Sequence, residues 1–127
     1  DVSRALPSPM HGSTFGGNPV AAAAAIATWD IATAPSFMKE TEAKGEHLRA
    51  LAQGVQARHP ERVKDVRGRG MLFGIELDGG AAEVLARCRG HGLLANLAGE
   101  KTVRFAPSYL VTRDQLSEGL AIFERSL

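Results

Sequence analysis

Cysteine, aromatic residues and excess charge are scarce in this chain of 127 residues. The single cysteine, Cys88, excludes an internal disulfide and a zinc site built from several thiolates. A net charge of +1 gives no electrostatic reason to expect nucleic acid or an anionic membrane as a partner. The sequence also lacks an apolar run as long as a membrane span and a signal-peptide pattern at its start. We therefore expect a globular, cytoplasmic protein that binds no metal, nucleic acid or membrane.

Two helices are predicted in the first half of the chain. Asn18 and Pro19 indicate a helix start, because asparagine is a good N-cap and proline is tolerated at the first helical position. The alanine-rich helix that follows is predicted to end at residues 34–36. Ser36 is then expected to cap a second helix that ends near Arg58.

The second half of the chain predicts a small sheet. Strands are expected at residues 62–67, 71–77, 93–97 and 102–106, and helices at 81–89 and from Thr112 to the end. Apolar side chains recur at every second position of residues 71–77, which is strand periodicity. Thr112 and Gln115 fit a capping box. The pattern predicts an α+β fold with a small, mostly antiparallel sheet that helices cover on one face.

The loop HGSTFGGNP, residues 11–19, places two hydroxyls, Ser13 and Thr14, among glycines just before a helix. Glycines let backbone N–H groups approach an anion, and a helix N-terminus adds a positive field. Hydroxyl groups are suitable donors to phosphate oxygens. The loop is therefore a candidate phosphate site. Composition alone leaves open a tight loop whose glycines serve only backbone geometry, because such loops are common and this one is not a Walker motif.

Arg104 is the second candidate binding residue. It stands between Val103 and Phe105 in a predicted strand, so its side chain points to the opposite face of the sheet from theirs. An arginine in that position needs an anionic partner or access to water. It is either a ligand-binding residue or an ordinary structural or edge-strand charge.

Three collinear stretches resemble one known family. The HGSTFGGNP loop with its alanine-rich helix resembles the class III (subgroup II) pyridoxal 5′-phosphate (PLP) aminotransferases, of the acetylornithine, succinylornithine and ornithine branch. VRGRGMLFGIEL, residues 66–77, is similar to the strand pair of that family's small domain. GLLAN and TVRFAP, residues 92–96 and 102–107, are similar to its final sheet. Residues 107–110 depart from the commoner family run, which puts fine substrate preference in doubt more than the fold.

The resemblance implies the C-terminal part of a fold-type-I enzyme. Residues 1–18 would be a connector and cofactor-phosphate loop from the end of the large domain, and residues 19–127 the C-terminal small domain. Thr14, with Ser13 beside it, would bind the phosphate of the PLP held by the neighbouring subunit of a homodimer. Arg104 would hold the substrate α-carboxylate in a bidentate fork. No catalytic residue is expected in this chain.

The parent enzyme would move an ω-amino group from N-acetylornithine, succinylornithine or ornithine to 2-oxoglutarate, in arginine metabolism. In this family the Schiff-base lysine and the aspartate at the cofactor's pyridinium nitrogen lie upstream of the loop. The lysines present match neither position: Lys39, Lys44, Lys64 and Lys101. We therefore expect the fragment to be inactive and to bind no PLP without the rest of its chain.

Two alternatives stay open. The parent could be another ω-aminotransferase, for example one that acts on 4-aminobutyrate, and assays of the full-length enzyme on both donors would separate the two. The chain could also be a free-standing, non-catalytic binding domain. The residues encoded immediately upstream of Asp1 would decide that second question.

Overall fold

The structure is a computed structural model that describes residues 12–127. The predicted connector over residues 1–11, with His11, lies outside the described residues. The chain divides into two compact units, one that ends at Phe37 and one that comprises Met38–Leu127. The domain boundary expected between residues 18 and 19 stays a prediction.

Helix α1 (Pro19–Ala32) begins where the asparagine–proline pair predicts it. The side-chain oxygen of Asn18 accepts a hydrogen bond from the Ala21 N–H at 2.9 Å. The helix has no buried residue. Its large apolar side chains are all exposed: Val20, Ile26, Trp29 and Ile31. A helix that is apolar on every side is typical of one that other protein covers.

The remaining elements form an α+β arrangement, as predicted. They are α2 (Pro35–Arg58), β1 (Val63–Arg69), β2 (Leu72–Leu77), α3 (Ala81–Gly90), β3 (Asn96–Ala98), β4 (Thr102–Phe105) and α4 (Arg113–Arg125). The four strands form one antiparallel sheet in the order β1-β2-β4-β3. Helix α4 begins with the capping box that the sequence indicates, because both reciprocal hydrogen bonds are present.

The boundaries of α2 and β1 differ from the prediction. Helix α2 begins at Pro35, so Ser36 lies inside its first turn and does not cap it. Proline itself is tolerated at the first helical position because its missing N–H would be unpaired there anyway. Strand β1 continues through Gly68, whose φ of 141° suits glycine. A Cβ at Gly68 would lie 2.4 Å from the Cα of Phe73, so only glycine fits.

Strand β3 is shorter than predicted and begins later. It spans Asn96–Ala98, so the predicted start at residue 93 is wrong. The Leu93 N–H instead donates to the carbonyl of Cys88 at 2.9 Å, which closes the end of α3. The apolar residues before the strand therefore belong to the end of α3. Their sequence pattern alone does not distinguish this role from that of a strand.

One hydrophobic core lies on one face of the sheet. The side chains assigned to the inner face of residues 71–77 are all at most 6% exposed: Met71, Phe73, Ile75 and Leu77. Of the opposite set, Leu72 is 57% exposed and Glu76 is partly exposed, whereas Gly74 is buried under the Thr102 side chain. The predicted inner face is therefore confirmed. Helices α2, α3 and α4 add Leu48, Val84 and Phe123 to the same core. The helices thus cover one face of the sheet.

Phe105 joins the sheet to α4 inside this core. Its ring stacks on Phe73 with centroids 4.8 Å apart, and it meets Phe123 edge-on at 5.4 Å. Such aromatic pairs add to the free energy already gained by burial. The end of β4 is therefore held from both sides.

The turn between β1 and β2 lies directly against α2. Gly45 of α2 has no side chain, and a Cβ there would lie 2.7 Å from the Cα of Gly70. Arg49, one turn further along α2, donates a hydrogen bond to the carbonyl of Gly68. The helix therefore fixes the turn through a close backbone approach and a side-chain hydrogen bond.

Glu124 of α4 joins the ends of two helices. Arg58 Nε and Nη2 donate to its two carboxylate oxygens at 2.6 and 2.8 Å, and His59 Nε2 lies 3.0 Å from Oε1. The hydrogen bond from Arg58 is the main reason that the pKa of Glu124 is lowered, although desolvation opposes it.

No single helix among residues 12–127 is long and apolar enough to cross a membrane, and α1 with α2 passes only as a broken pair, by length and composition. Within the same residues, no group of three or more histidine, cysteine, aspartate or glutamate side chains could hold a metal ion. Cys88 is a buried free thiol.

The close approach at Gly45 predicts an unusual effect of alanine. Alanine normally stabilises a helix interior relative to glycine, but in Gly45→Ala the new methyl group would force the Gly70 backbone away. We expect a loss of about 1–3 kcal/mol in the free energy of unfolding. Gly119→Ala in α4 is the control, since its Cβ would meet Leu93 at an ordinary 3.5 Å. That variant should gain about 0.5–1 kcal/mol. The free energy of unfolding would be measured by urea denaturation. An equal increase for both variants would contradict this expectation.

The lowered pKa of Glu124 predicts a pH-dependent contribution to stability. A carboxyl group whose pKa is lower in the folded state stabilises the fold above its unfolded pKa of about 4.3. That contribution is lost as the pH falls through the folded-state value. Glu124→Gln should therefore lower the Tm at pH 7, and the difference from the wild type should shrink in acid. Glu118→Gln, at an exposed position of the same helix, should show the same dependence of Tm on pH as the wild type. A constant difference in Tm between pH 7 and 3 would contradict this expectation.

Candidate functional site

The glycines of residues 12–18 shape a tight loop. Ser13 Oγ accepts a hydrogen bond from the Gly16 N–H at 2.9 Å, which closes a turn over Thr14 and Phe15. Gly17 has a φ of 74°, in the left-handed region that favours glycine. The geometric role that composition left open for these glycines is therefore present, and it leaves the hydroxyls available for another role.

Two hydroxyl donors lie side by side on this loop. Ser13 uses an oxygen lone pair to accept from Gly16, so its O–H remains available to donate. The hydroxyl of Thr14 makes no hydrogen bond to any of residues 12–127, and both side chains are exposed. The loop can therefore offer two neighbouring O–H donors to an anion such as a phosphate.

The start of α1 contributes a field to the loop more than it contributes donors. Pro19 has no N–H, and the N–H groups of Ala21 and Ala22 are already bonded to the side chain and the carbonyl of Asn18. Asn18 Nδ2 in turn donates to the Phe15 carbonyl at 2.8 Å, which ties the loop to the helix. The helix dipole still favours negative charge at this end. The hydroxyls would thus make the direct contacts to a phosphate.

Arg104 lies on the open face of the sheet. Val103 and Phe105, on either side of it, are 0% and 7% exposed, whereas the Arg104 side chain is exposed. Its guanidinium forms no ion pair and no hydrogen bond with any residue in the described part of the chain. The sequence left open that Arg104 forms a structural ion pair, but no residue within 12–127 is its partner.

Cross-strand pairing surrounds Arg104 with small or polar neighbours. Gly74 of β2 and Asn96 of β3 are its direct partners, and Arg67 of β1 is the next residue in the same row. A concavity of about 410 Å³ opens beside Arg104 on this face. A Cβ at Gly74 would lie 2.7 Å from Thr102 Cγ2, so the row has space for glycine only.

Arg67 anchors a charged network that the sequence did not reveal. Its Nη1 lies 2.8 Å from Asp65 Oδ2 and 2.6 Å from Glu76 Oε2, and its Nη2 donates to Thr102 Oγ1 at 3.0 Å. Hydrogen bonds to Asp65 and then to Glu76 raise the pKa of the Arg67 guanidinium. The alternating charges in β1 and β2 could have suggested a polar face. The pairing itself depends on strand register, which is not visible along one chain.

The candidate residues thus lie in two places. Ser13 and Thr14 are adjacent in the N-terminal unit, and Arg104 belongs to the C-terminal unit. The first pair forms a hydroxyl loop at a helix start, suited to a phosphate. Arg104 has a guanidinium without a partner among residues 12–127, beside an open concavity, and it can hold a carboxylate in a bidentate fork.

Comparison with known proteins gives a consistent result. The family model described as aminotransferase class-III matches residues 1–127. Acetylornithine aminotransferase of Myxococcus xanthus is 46% identical over 91% of this chain and 29% of that protein. The mitochondrial acetylornithine aminotransferase of Saccharomyces cerevisiae is 33% identical over 99% of this chain and 30% of that protein. The chain therefore spans about three tenths of the length of the curated relatives it matches.

Solved structures show the same similarity in three dimensions. Lysine aminotransferase from M. tuberculosis, in its internal aldimine form, matches with a TM-score of 0.84 and 28% identity over 97% of this chain and 28% of its own. Acetylornithine aminotransferase from Elizabethkingia anophelis matches with a TM-score of 0.82 and 27% identity over 98% of this chain and 32% of its own.

Proposed function

Because the chain belongs to the class III aminotransferase family, we propose that it is the C-terminal portion of an enzyme that transfers the terminal amino group of N-acetylornithine, or of succinylornithine or ornithine, to 2-oxoglutarate. The names of the relatives at 33–46% identity support this choice of donor. PLP is the cofactor that the family implies. When bound, it supplies the electron sink that such a transfer requires.

The observation that carries the proposal is the state of Arg104. The guanidinium is exposed, without a partner among residues 12–127, and beside a concavity of about 410 Å³. A side chain in this state can take a carboxylate with two parallel hydrogen bonds. N-acetylornithine carries a carboxylate at the end opposite its reacting terminal amine. 2-Oxoglutarate carries one carboxylate beside its reacting keto carbon and another at the far end. In our proposal Arg104 binds and orients the carboxylates of both substrates.

The hydroxyl loop fits the phosphate of PLP. The Thr14 hydroxyl has no hydrogen-bond partner among residues 12–127, Ser13 can still donate its hydrogen, and the start of α1 favours negative charge. These residues would hold the phosphate of the cofactor in the neighbouring subunit. The lysine that bonds the cofactor and the aspartate at its ring nitrogen would come from the rest of the chain. The fragment alone would then be inactive and would not retain PLP.

The surface of α1 supports a role inside a larger assembly. Its apolar side chains are exposed, from 63% at Ile31 to 81% at Val20. Leaving such a surface in water is unfavourable by roughly 25 cal/mol for each Å². We propose that the rest of the enzyme and the second subunit of a homodimer cover it, and that the enzyme works in the cytoplasm.

A different ω-amino donor is the second candidate. Solved structures similar to this chain include a lysine aminotransferase at 28% identity and an ornithine aminotransferase at 25% identity. This chain therefore has a fold that aminotransferases for several different ω-amine donors share. Assays of the full-length enzyme on N-acetylornithine, ornithine, lysine and 4-aminobutyrate would select among them, and a higher kcat/KM for any of the last three would replace the donor proposed here.

Thr14→Val should weaken cofactor binding in the full-length protein. Valine has the same shape but no hydroxyl, so a charge-assisted hydrogen bond to phosphate is lost. We expect the Kd of PLP to rise by about 10- to 100-fold, equivalent to about 1.5–3 kcal/mol. Thr14→Ser should retain most of the affinity. Thr28→Val is the matched control, because that hydroxyl donates to Ala24 within α1. Cofactor titration followed by absorbance measures all three, and an unchanged Kd in Thr14→Val would remove Thr14 from the site.

Arg104→Ala should raise the KM of both substrates together. One guanidinium serves the amino donor and 2-oxoglutarate in turn, and loss of a bidentate contact costs about 10- to 100-fold in binding. Arg104→Lys should give a smaller rise, since a point charge cannot form the fork. Steady-state kinetics with each substrate varied separately provides the test. An effect on one substrate alone would contradict a shared carboxylate site.

A further inference from the structure

Thr14 lies in the middle of a turn that other side chains hold. Ser13 Oγ accepts a hydrogen bond from the Gly16 N–H at 2.9 Å, so Thr14 and Phe15 are the two central residues of that turn. The Thr14 hydroxyl itself has no hydrogen-bond partner among residues 12–127. The direction of its O–H therefore depends on the backbone of the turn and on the contacts that keep this backbone in one conformation.

Asn18 holds the second half of the turn. Its Nδ2 donates to the Phe15 carbonyl at 2.8 Å, and its Oδ1 accepts from the Ala21 N–H at 2.9 Å. Two different atoms of one amide thus join the residue after Thr14 to the first turn of α1. Serine and aspartate cap a helix about as well as asparagine does. However, aspartate has no donor and serine has only one polar atom, so neither can make both contacts.

We infer that Asn18 is a positioning residue for the cofactor phosphate, because it fixes the Phe15 carbonyl and so directs the Thr14 hydroxyl without contacting the phosphate itself. The inference rests on the proposed function, since it assumes that Thr14 binds that phosphate. It gives the asparagine at this position a role that helix capping alone does not require.

The physical argument is one of preorganisation. Binding costs free energy for each loop or side chain that has to be ordered. With both contacts of Asn18 present, the turn is ordered before the phosphate arrives, so the Thr14 hydroxyl gains its hydrogen bond without that cost. If only the contact with Phe15 is lost, α1 keeps its cap, but the turn gains freedom that phosphate binding has to remove. Ser13 is affected less, because its own contact with Gly16 remains.

The test uses the full-length enzyme and measures the Kd of PLP by absorbance titration for N18S, T14V and the double variant N18S/T14V. N18S keeps a cap on α1 but loses the donor to Phe15, so we expect the Kd to rise by roughly two- to tenfold, the cost of ordering one more group. In the T14V background the same substitution should change the Kd by less than about twofold, because the hydroxyl that Asn18 directs is already absent. A role confined to fold stability would weaken binding by the same factor in both backgrounds.

Two further variants separate positioning from helix stability. N18A removes both contacts, so its PLP-free form should unfold at a lower temperature than that of N18S, whose Tm should stay near the wild-type value. T33V removes a hydrogen bond to the Trp29 carbonyl at the far end of α1 and should leave the Kd of PLP unchanged. An unchanged Kd in N18S, an equal factor in both backgrounds, or a raised Kd in T33V overturns the inference. If T14V itself leaves the Kd unchanged, the phosphate site of the proposed function fails, and the inference falls with it.

Discussion

Burial of Val103 and Phe105 determines where Arg104 can be. Because the two residues flanking it are packed in the core, the arginine has to face the other side of β4. The stacking of Phe105 on Phe73 and its edge contact with Phe123 hold that end of the strand against the sheet and α4. The core therefore fixes the backbone from which the guanidinium projects, and the opposite face remains for chemistry. A shift of the strand by one residue would bury the charge and expose the aromatic ring.

The hydroxyl loop depends on a different kind of constraint. The side chains of Ser13 and Asn18 form their hydrogen bonds with residues three positions away, so the loop is shaped by its own sequence. This local organisation needs no help from a core, and the Thr14 hydroxyl has no hydrogen-bond partner in the part of the chain that the structure describes. The apolar surface of α1 shows what the local contacts do not provide, which is cover for the helix that carries the loop. Phosphate recognition in our proposal therefore requires the assembly, whereas the placement of Arg104 requires only the unit Met38–Leu127.

The sequence predicts features that depend on local contacts better than features that depend on contacts between distant residues. Local signals were sufficient for the cap at Asn18, the capping box at Thr112 and the alternation in residues 71–77, because each depends on neighbours along the chain. They also put Arg104 on the face opposite Val103. They could not show that Arg67, Glu76 and Thr102 meet, since that depends on the register of three strands. The early start assigned to β3 was wrong because apolar residues before it close α3, a use with no periodic signature.

The most direct test of the account is a crystal structure of the full-length protein with PLP and glutarate bound. The account predicts that two guanidinium nitrogens of Arg104 lie about 2.7–2.9 Å from one glutarate carboxylate. A glutarate carboxylate held by other residues, with Arg104 paired to a protein carboxylate or turned to solvent, would contradict it.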